Sequence, residues 1–316
     1  MKTTLLAAAF ALTSAATPLF AQSWQPPAPE QRCPSKWGPN DERGAANHMT
    51  PANVLRAARL IHTGEVLELG RVLSMDMPFF GTRRFDIHTK RTGGPMGSNK
   101  RITNEELVIT ELGQVGTQFD MFSHQGIDGL LYNCLKSDEI ATRNGFTKLG
   151  VDKIGTLFTR GVLIDVAAAK GVDLLPSEYE IMPADLQAAL QLEGVTLQPG
   201  DAVLIRSGYG KLWGVDNARY NRDTPGIGVP AAEWLAKQDV MLFGADTFAV
   251  EAAPNPDKNI SLPVHQIAFV VNGIFLLENL NLEELAAKKW YEFAFIIQPL
   301  KIKGGTGSTV APVAVR

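Results

Sequence analysis

The densest group of side chains able to hold a metal or move a proton is Gln114-Val115-Gly116-Thr117-Gln118-Phe119-Asp120-Met121-Phe122-Ser123-His124. Side chains alternate along a β-strand, so an extended stretch here puts Gln114, Gln118 and Asp120 on one face. Gly116 shares that face and, lacking a side chain, leaves room for a ligand or metal near the backbone. His124 follows Asp120 closely enough to return to the same place once the strand ends. The spacing fits equally well a half-buried strand whose polar face meets water. Farther along, His265 opens a segment that runs to Glu278 at the end of a strand. One imidazole and one carboxylate at element ends can complete a site begun by Asp120, although Glu278 also suits a cap or an ion pair. Of the other histidines, His48 and His88 fall in loops. His62 sits late in a helix, where the dipole favours a cation.

The elements that must carry these groups follow from periodicity and turn chemistry. Thr50-Pro51 is an N-cap with proline in the first helical position, and Val54, Leu55, Ala58 and Ile61 continue at helical spacing up to Gly64. Val66 to Met75 alternates as a strand. Phe79 to Met96 mixes Gly, Arg, Thr and Pro without a period, which predicts a long loop bordering a site. Within it Phe79, Arg83 and His88 are candidate substrate contacts, the cations suiting an anionic ligand. Leu107–Thr110 and Gln114–Phe122 read as a strand pair around Leu112-Gly113. Gly161–Ala167, Ala202–Arg206, Val240–Gly244 and Ile274–Glu278 read as buried strands. Pro183–Leu192, Pro230–Lys237 and Val264–Val271 read as helices, the last stopped by Asn272-Gly273. Phe293 to Lys303 reads as a long strand turned at Gly304-Gly305 into a final one. Alternating strands and helices in the middle, with hairpin-like pairs at both ends, predict a single mixed α/β domain.

The chain has 316 residues, 45% hydrophobic and 20% charged, with a net charge of −3. That composition supports one large folded domain rather than disorder. No basic stripe interleaved with aromatics occurs, so nucleic acid is not an expected partner. Residues 1–21 combine Lys2, an apolar run from Leu5 to Leu12 and small residues ending at Ala21. This is the pattern of a cleavable export signal, too short to span a bilayer. The expected organisation is therefore a signal peptide over 1–21, an extended arm over 22–36 and one domain over 37–316, located in the periplasm or secreted, with no membrane association after cleavage. Cys33 and Cys134 are then in a compartment that permits a bridge, but sequence does not say whether they meet. There is no Gly-Xaa-Ser-Xaa-Gly elbow, phosphate-binding loop or dinucleotide fingerprint.

Several blocks in order resemble the cyclase family of metal-dependent hydrolases, which includes bacterial kynurenine formamidase and isatin hydrolase. They are Trp37-Gly38-Pro39-Asn40-Asp41-Glu42-Arg43-Gly44-Ala45-Ala46-Asn47 with Thr50-Pro51, Ser207-Gly208 to Trp213, Pro225-Gly226-Ile227, Gly244-Ala245-Asp246-Thr247 and Leu277-Glu278-Asn279-Leu280. The family signature His-Xaa-Gly-Thr-His-Xaa-Asp-Xaa-Xaa-Xaa-His reads here with Gln114 and Gln118 in place of its first two histidines. The resemblance implies a swivelling β/β/α fold, a mixed sheet with flanking helices, assembled as a homodimer or homotetramer. It also implies a metal site of Gln114, Gln118, Asp120, His265 and Glu278, with His124 as the catalytic proton carrier. Amide oxygen is a harder and weaker donor than imidazole, which favours Mn²⁺ over Zn²⁺.

The expected activity is hydrolysis of an amide, lactam, lactone or ester in a small molecule, with one or two Zn²⁺ or Mn²⁺ ions activating water. A binding protein of the same fold, without turnover, is the alternative that the missing histidines bring in.

Overall fold

The computed structural model describes residues 23–316; the expected signal segment lies outside the described residues. Strands β1 (Val66–Glu68), β2 (Phe85–Met96), β3 (Arg101–Thr110), β4 (Gln118–Asp120), β5 (Leu157–Asp165) and β6 (Ala202–Arg206) come first along the chain. They are followed by β7 (Leu242–Ala245), β8 (Phe275–Glu278), β9 (Glu292–Ile297), β10 (Gly307–Thr309) and β11 (Val313–Val315). Nine of them form one mixed sheet in the order β1-β11-β9-β5-β6-β7-β8-β4-β10. Its centre, β5-β6-β7-β8, is parallel, with β9 and β4 antiparallel on either side. Parallel strands covered on both faces must be apolar throughout, and Val162–Ile164, Ala202–Leu204 and Phe275–Leu277 are all fully buried. The helices that cover them are α1 (Pro51–Ala58) and α2 (Pro183–Glu193), both packed on β5, and α3 (Val229–Lys237), packed on the segment Pro263–Asn272. The result is a mixed α/β fold with a large sheet flanked by helices.

Local chemistry explains the boundaries. Thr50 accepts from the Asn53 N–H and Pro51 opens α1. Gly194, at φ 70°, closes α2, and Gly273, at φ 62°, closes the 263–272 segment, most of which is π-helical. No helix among the described residues is long and apolar enough to cross a membrane.

Five expectations are corrected. Helix α1 stops at Ala58, short of His62 and Gly64. The strand expected over Val66–Met75 shrinks to Val66–Glu68, the part that pairs as a strand with β11. The Phe79–Met96 loop is a strand for its last twelve residues, since β2 pairs with β3 in a solvent-exposed two-stranded ribbon. Leu107–Thr110 therefore pairs with β2, and β4 instead inserts between β8 and β10. Both faces of the ribbon are mostly exposed, so its sequence lacks the two-residue alternation that marks a half-buried strand. The last long strand likewise ends at Ile297, before Pro299 removes a backbone donor.

Residues 23–36 run along the body of the protein, with one helical turn at Pro29–Arg32. Cys33 and Cys134 form a disulfide across 101 residues of sequence, their Cα atoms 6.0 Å apart. Closing so long a loop restricts the unfolded chain strongly. Cys33→Ser with Cys134→Ser should lower the unfolding free energy by roughly 3–5 kcal/mol, measured by urea denaturation against the oxidised protein. Equal midpoints would show that the bridge does not hold the arm to the body.

Candidate metal centre

Asp120, Gln118 and Glu278 meet because β4 and β8 lie in register. Gln118 is opposite Glu278 and Asp120 is opposite Leu276. Alternation sends Phe119 to the other face, where it packs on Phe275 at 4.9 Å between ring centroids. The strand is only three residues long, so the turn before it and the turn after β8 must fix its position. Thr117 Oγ1 donates to the Asn279 carbonyl at 2.8 Å and accepts from the Arg71 N–H at 2.8 Å. Asn279 Nδ2 in turn donates to the Gly116 carbonyl at 2.8 Å. Gly116 has φ 64°, and a Cβ there would strike Leu73 Cδ2. Its missing side chain thus makes room for Leu73 and not for a ligand, a correction to the reading from sequence.

Gln114 lies in the turn preceding β4 rather than on the strand, yet it reaches the same place. Its Nε2 donates to Asp120 Oδ1 at 3.0 Å and lies 3.4 Å from His124 Nδ1. Gln118 Nε2 donates to Glu278 Oε2 at 2.8 Å. His265 Nε2 lies 3.4 Å from Glu278 Oε1 and 4.0 Å from Asp120 Oδ2. One ligand atom each from Asp120, His124 and His265 lie within 4.8 Å of one another. Asp120 Oδ2 and Gln114 Oε1 are buried and accept no hydrogen bond among the described residues, His265 Nε2 standing 4.0 Å from the former. Undonated buried oxygens beside a pair of carboxylates and an imidazole are what a cation would satisfy, so the residues present fit a metal ion.

Glu251 was not read from the sequence as part of this site. Its carboxylate is fully buried, with Oε1 at 2.5 Å from His265 Nδ1 and accepting from the His265 N–H, and Oε2 accepting from the Val264 N–H at 3.0 Å. It therefore caps the 263–272 segment and orients the His265 ring, leaving Nε2 toward Asp120 and Glu278. The one signal in the sequence is Pro263 at a helix start with Leu262, which has no capping oxygen, in the N-cap position before it, so that an acceptor has to come from elsewhere. Burial opposes a charge on His265, but its hydrogen bonds to Glu251 and Glu278 outweigh that, and its pKa is pushed up to about 10. Burial, together with the charge of Asp120, raises Glu278 above the usual carboxylate range. Burial lowers His124 below the ordinary imidazole value.

A cavity of about 420 Å³ opens over this cluster, bordered by Gln114, His124, His265 and Glu278 at its floor. Phe80 and Phe248 stack at 5.0 Å to form one wall, and Arg83 lies over the Phe80 ring at 5.6 Å. Arg83 is thus at the cavity. Phe79 faces a smaller hollow beside it, and its neighbour Phe80 borders the main cavity together with Phe248. The structure does not bring His88 to the site; it is exposed on the ribbon, paired with Leu107.

Glu251→Gln keeps an acceptor for Val264 N–H while removing the charge that orients His265. It should weaken divalent-metal affinity by roughly 10–100-fold, the usual cost of losing such a partner, with the melting temperature little changed. Competition with a fluorescent chelator measures it, and unchanged affinity would reduce Glu251 to a helix cap.

The Cyclase family model matches residues 67–252. A solved structure described as a novel cyclase is 34% identical, with a TM-score of 0.81, covering 89% of this chain and 98% of its own. Isatin hydrolase A from Ralstonia solanacearum is 26% identical, with a TM-score of 0.60, covering 84% of this chain and 98% of its own. Isatin hydrolase A from Labrenzia aggregata, at 23% identity and a TM-score of 0.58 over 84% of this chain and 98% of its own, shares the fold. A comparison with curated proteins finds no match. With the family model spanning more than half of its length and a 34% identical structure sharing the fold over 89% of it, the chain belongs to the cyclase family.

Proposed function

We propose that this protein is a metal-dependent hydrolase that opens an amide, lactam, lactone or ester bond in a small organic molecule, cyclic substrates included. The observation that carries the reading is the pair of undonated buried acceptors, Asp120 Oδ2 and Gln114 Oε1, beneath a cavity that His124 borders. Likeness to isatin hydrolase A at 26% identity supports the same class of chemistry. Asp120, His265 and Glu278, with the amide oxygens of Gln114 and Gln118, would hold one or two divalent ions. Oxygen donors outnumber the imidazole, which suits Mn²⁺ better than Zn²⁺. Such an ion supplies Lewis acidity toward a carbonyl oxygen and acidifies water.

The chain's own groups do the rest. His124, kept neutral by burial, accepts a proton from the attacking water on a ring nitrogen and returns it to the leaving nitrogen or oxygen. The Phe80–Phe248 wall holds an apolar, planar body against the floor. Arg83 has no carboxylate partner among the described residues, so its charge is free to take the carboxylate that hydrolysis creates.

Export to the periplasm or beyond is part of the same proposal, supported by the Cys33–Cys134 disulfide. So is assembly as a homodimer or homotetramer. A two-stranded ribbon is marginal in water by itself, and this one exposes Ile87, Met96, Ile102, Leu107, Val108 and Ile109.

Elemental mass spectrometry of the mature protein should find about one Mn or Zn per chain, lost in Asp120→Ala. His124→Ala should retain the metal while hydrolysis of a lactone and imide panel drops by about 10²–10⁴-fold, the usual worth of a general base. Loss of metal from His124→Ala would make His124 a ligand instead. Absence of metal in the wild type, even after dialysis against Mn²⁺ and Zn²⁺, would overturn the hydrolase reading.

A further inference from the structure

A second cavity, of about 380 Å³, lies between residues 31–36 of the N-terminal arm and residues 271–274 at the end of the π-helical segment. It borders Arg32, which is 93% buried and lies beside the disulfide that ties the arm to the body. Neither Nε nor Nη1 of Arg32 finds an acceptor, and no ion pair reaches its guanidinium among the described residues. The nearest acidic influence, Glu30, is exposed. Desolvation is the leading influence on this group, and it disfavours the charge.

A buried guanidinium cannot shed its proton as a lysine does, so an uncompensated one stays destabilising until an anion reaches it. The cavity's other cation, Lys36, is already neutralised by Asp239, which also approaches His48. One net positive charge therefore faces the space. Tyr132, Val271 and Ile274 give the cavity an apolar side, and Gln31, Ser35 and Asn272 add neutral polar groups around it. One net charge and one apolar side suit a monoanion with an apolar face better than a multiply charged ion.

We infer that this cavity is a binding site for a small monocarboxylate, with its carboxylate on Arg32 and its body against Tyr132, Val271 and Ile274. The site is separate from the metal centre. The segment Pro263–Asn272 nevertheless joins them, with His265 near one end and Val271 and Asn272 near the other. The inference does not depend on the hydrolase reading.

The test titrates the purified, disulfide-bonded mature protein with 4-bromobenzoate by calorimetry and locates bromine by anomalous diffraction in soaked crystals. Acetate and inorganic phosphate serve as further probes. One saturable event is expected, with bromine between residues 32 and 272, and affinity should fall by about tenfold or more in Arg32→Gln, as for loss of a charge-assisted bidentate contact. Acetate should bind more weakly than the aryl acid, and phosphate should not displace it. Ligand-free Arg32→Gln should melt no lower than wild type, because it removes an unpaired buried charge. Arg32→Lys provides a second variant, keeping the charge but not the fork, and should bind with intermediate affinity. Equal affinity in wild type and Arg32→Gln, bromine only over the metal centre, or preferential binding of phosphate would each overturn the assignment.

Discussion

Three carboxylates, from Asp120, Glu251 and Glu278, are buried around a single imidazole, His265. This concentration of negative charge is the constraint on which the centre of the molecule depends. Ionised carboxylates in a low-dielectric interior cost several kcal/mol each unless paired or metal-bound. One imidazolium cannot compensate three of them. Glu278 answers by holding its proton more tightly, and His265 answers by holding its own. Both responses are those of a site with room for a further positive charge. The register of β4 against β8, and the bonds from Thr117 and Asn279 that fix it, keep the repelling groups in place.

The two amides deserve a physical account, since imidazole in their places would offer nitrogen to a metal. Each glutamine carries both a donor and an acceptor on one rotatable group. With Nε2 turned inward, Gln114 and Gln118 donate to Asp120 and Glu278 and soften their repulsion. With Oε1 turned inward, the same side chains would offer neutral oxygen to a cation. Amides can therefore serve a vacant and a loaded centre by a half-turn of the terminal group. The loaded centre would be richer in oxygen than one built with histidines, which moves preference toward harder cations.

How much of this was legible beforehand varies by residue in an intelligible way. Ala202–Arg206 was read with its boundaries intact because an apolar run after Pro199-Gly200 has few alternatives. Asp120 is a candidate because strand alternation puts it on one face with Gln114 and Gln118, and Glu278 because it ends an apolar strand. The β2–β3 ribbon was missed because the burial contrast that creates periodicity is absent from it. Glu251 was missed because its partners, Val264 and His265, are non-local in sequence, and nothing around it repeats. The Cys33–Cys134 bridge depended on a distance that only the fold supplies. Gly116 was misread because close packing and ligand access require the same missing side chain. Only the neighbour, Leu73, tells them apart.

The blocks that mark the family are chiefly its frame. Asp41 accepts from Gly44 N–H and Tyr132 OH at 2.8 Å each, and Ala45 N–H donates to the Gly273 carbonyl at 2.7 Å. The opening motif thus clamps the end of the segment that begins beside His265. Asp246, fully buried, accepts from Ser207 N–H at 2.9 Å and Ser207 Oγ at 2.7 Å, joining two blocks that are 39 residues apart. These contacts leave little freedom: a buried carboxylate that caps backbone donors cannot be exchanged without exposing them unpaired. Residues 114 and 118 are under a looser demand, since any side chain that can face the carboxylates with a donor or a metal with an acceptor will fit. The frame can therefore persist while the ligand set drifts, and membership of the family fixes where a metal would sit more firmly than which metal it is.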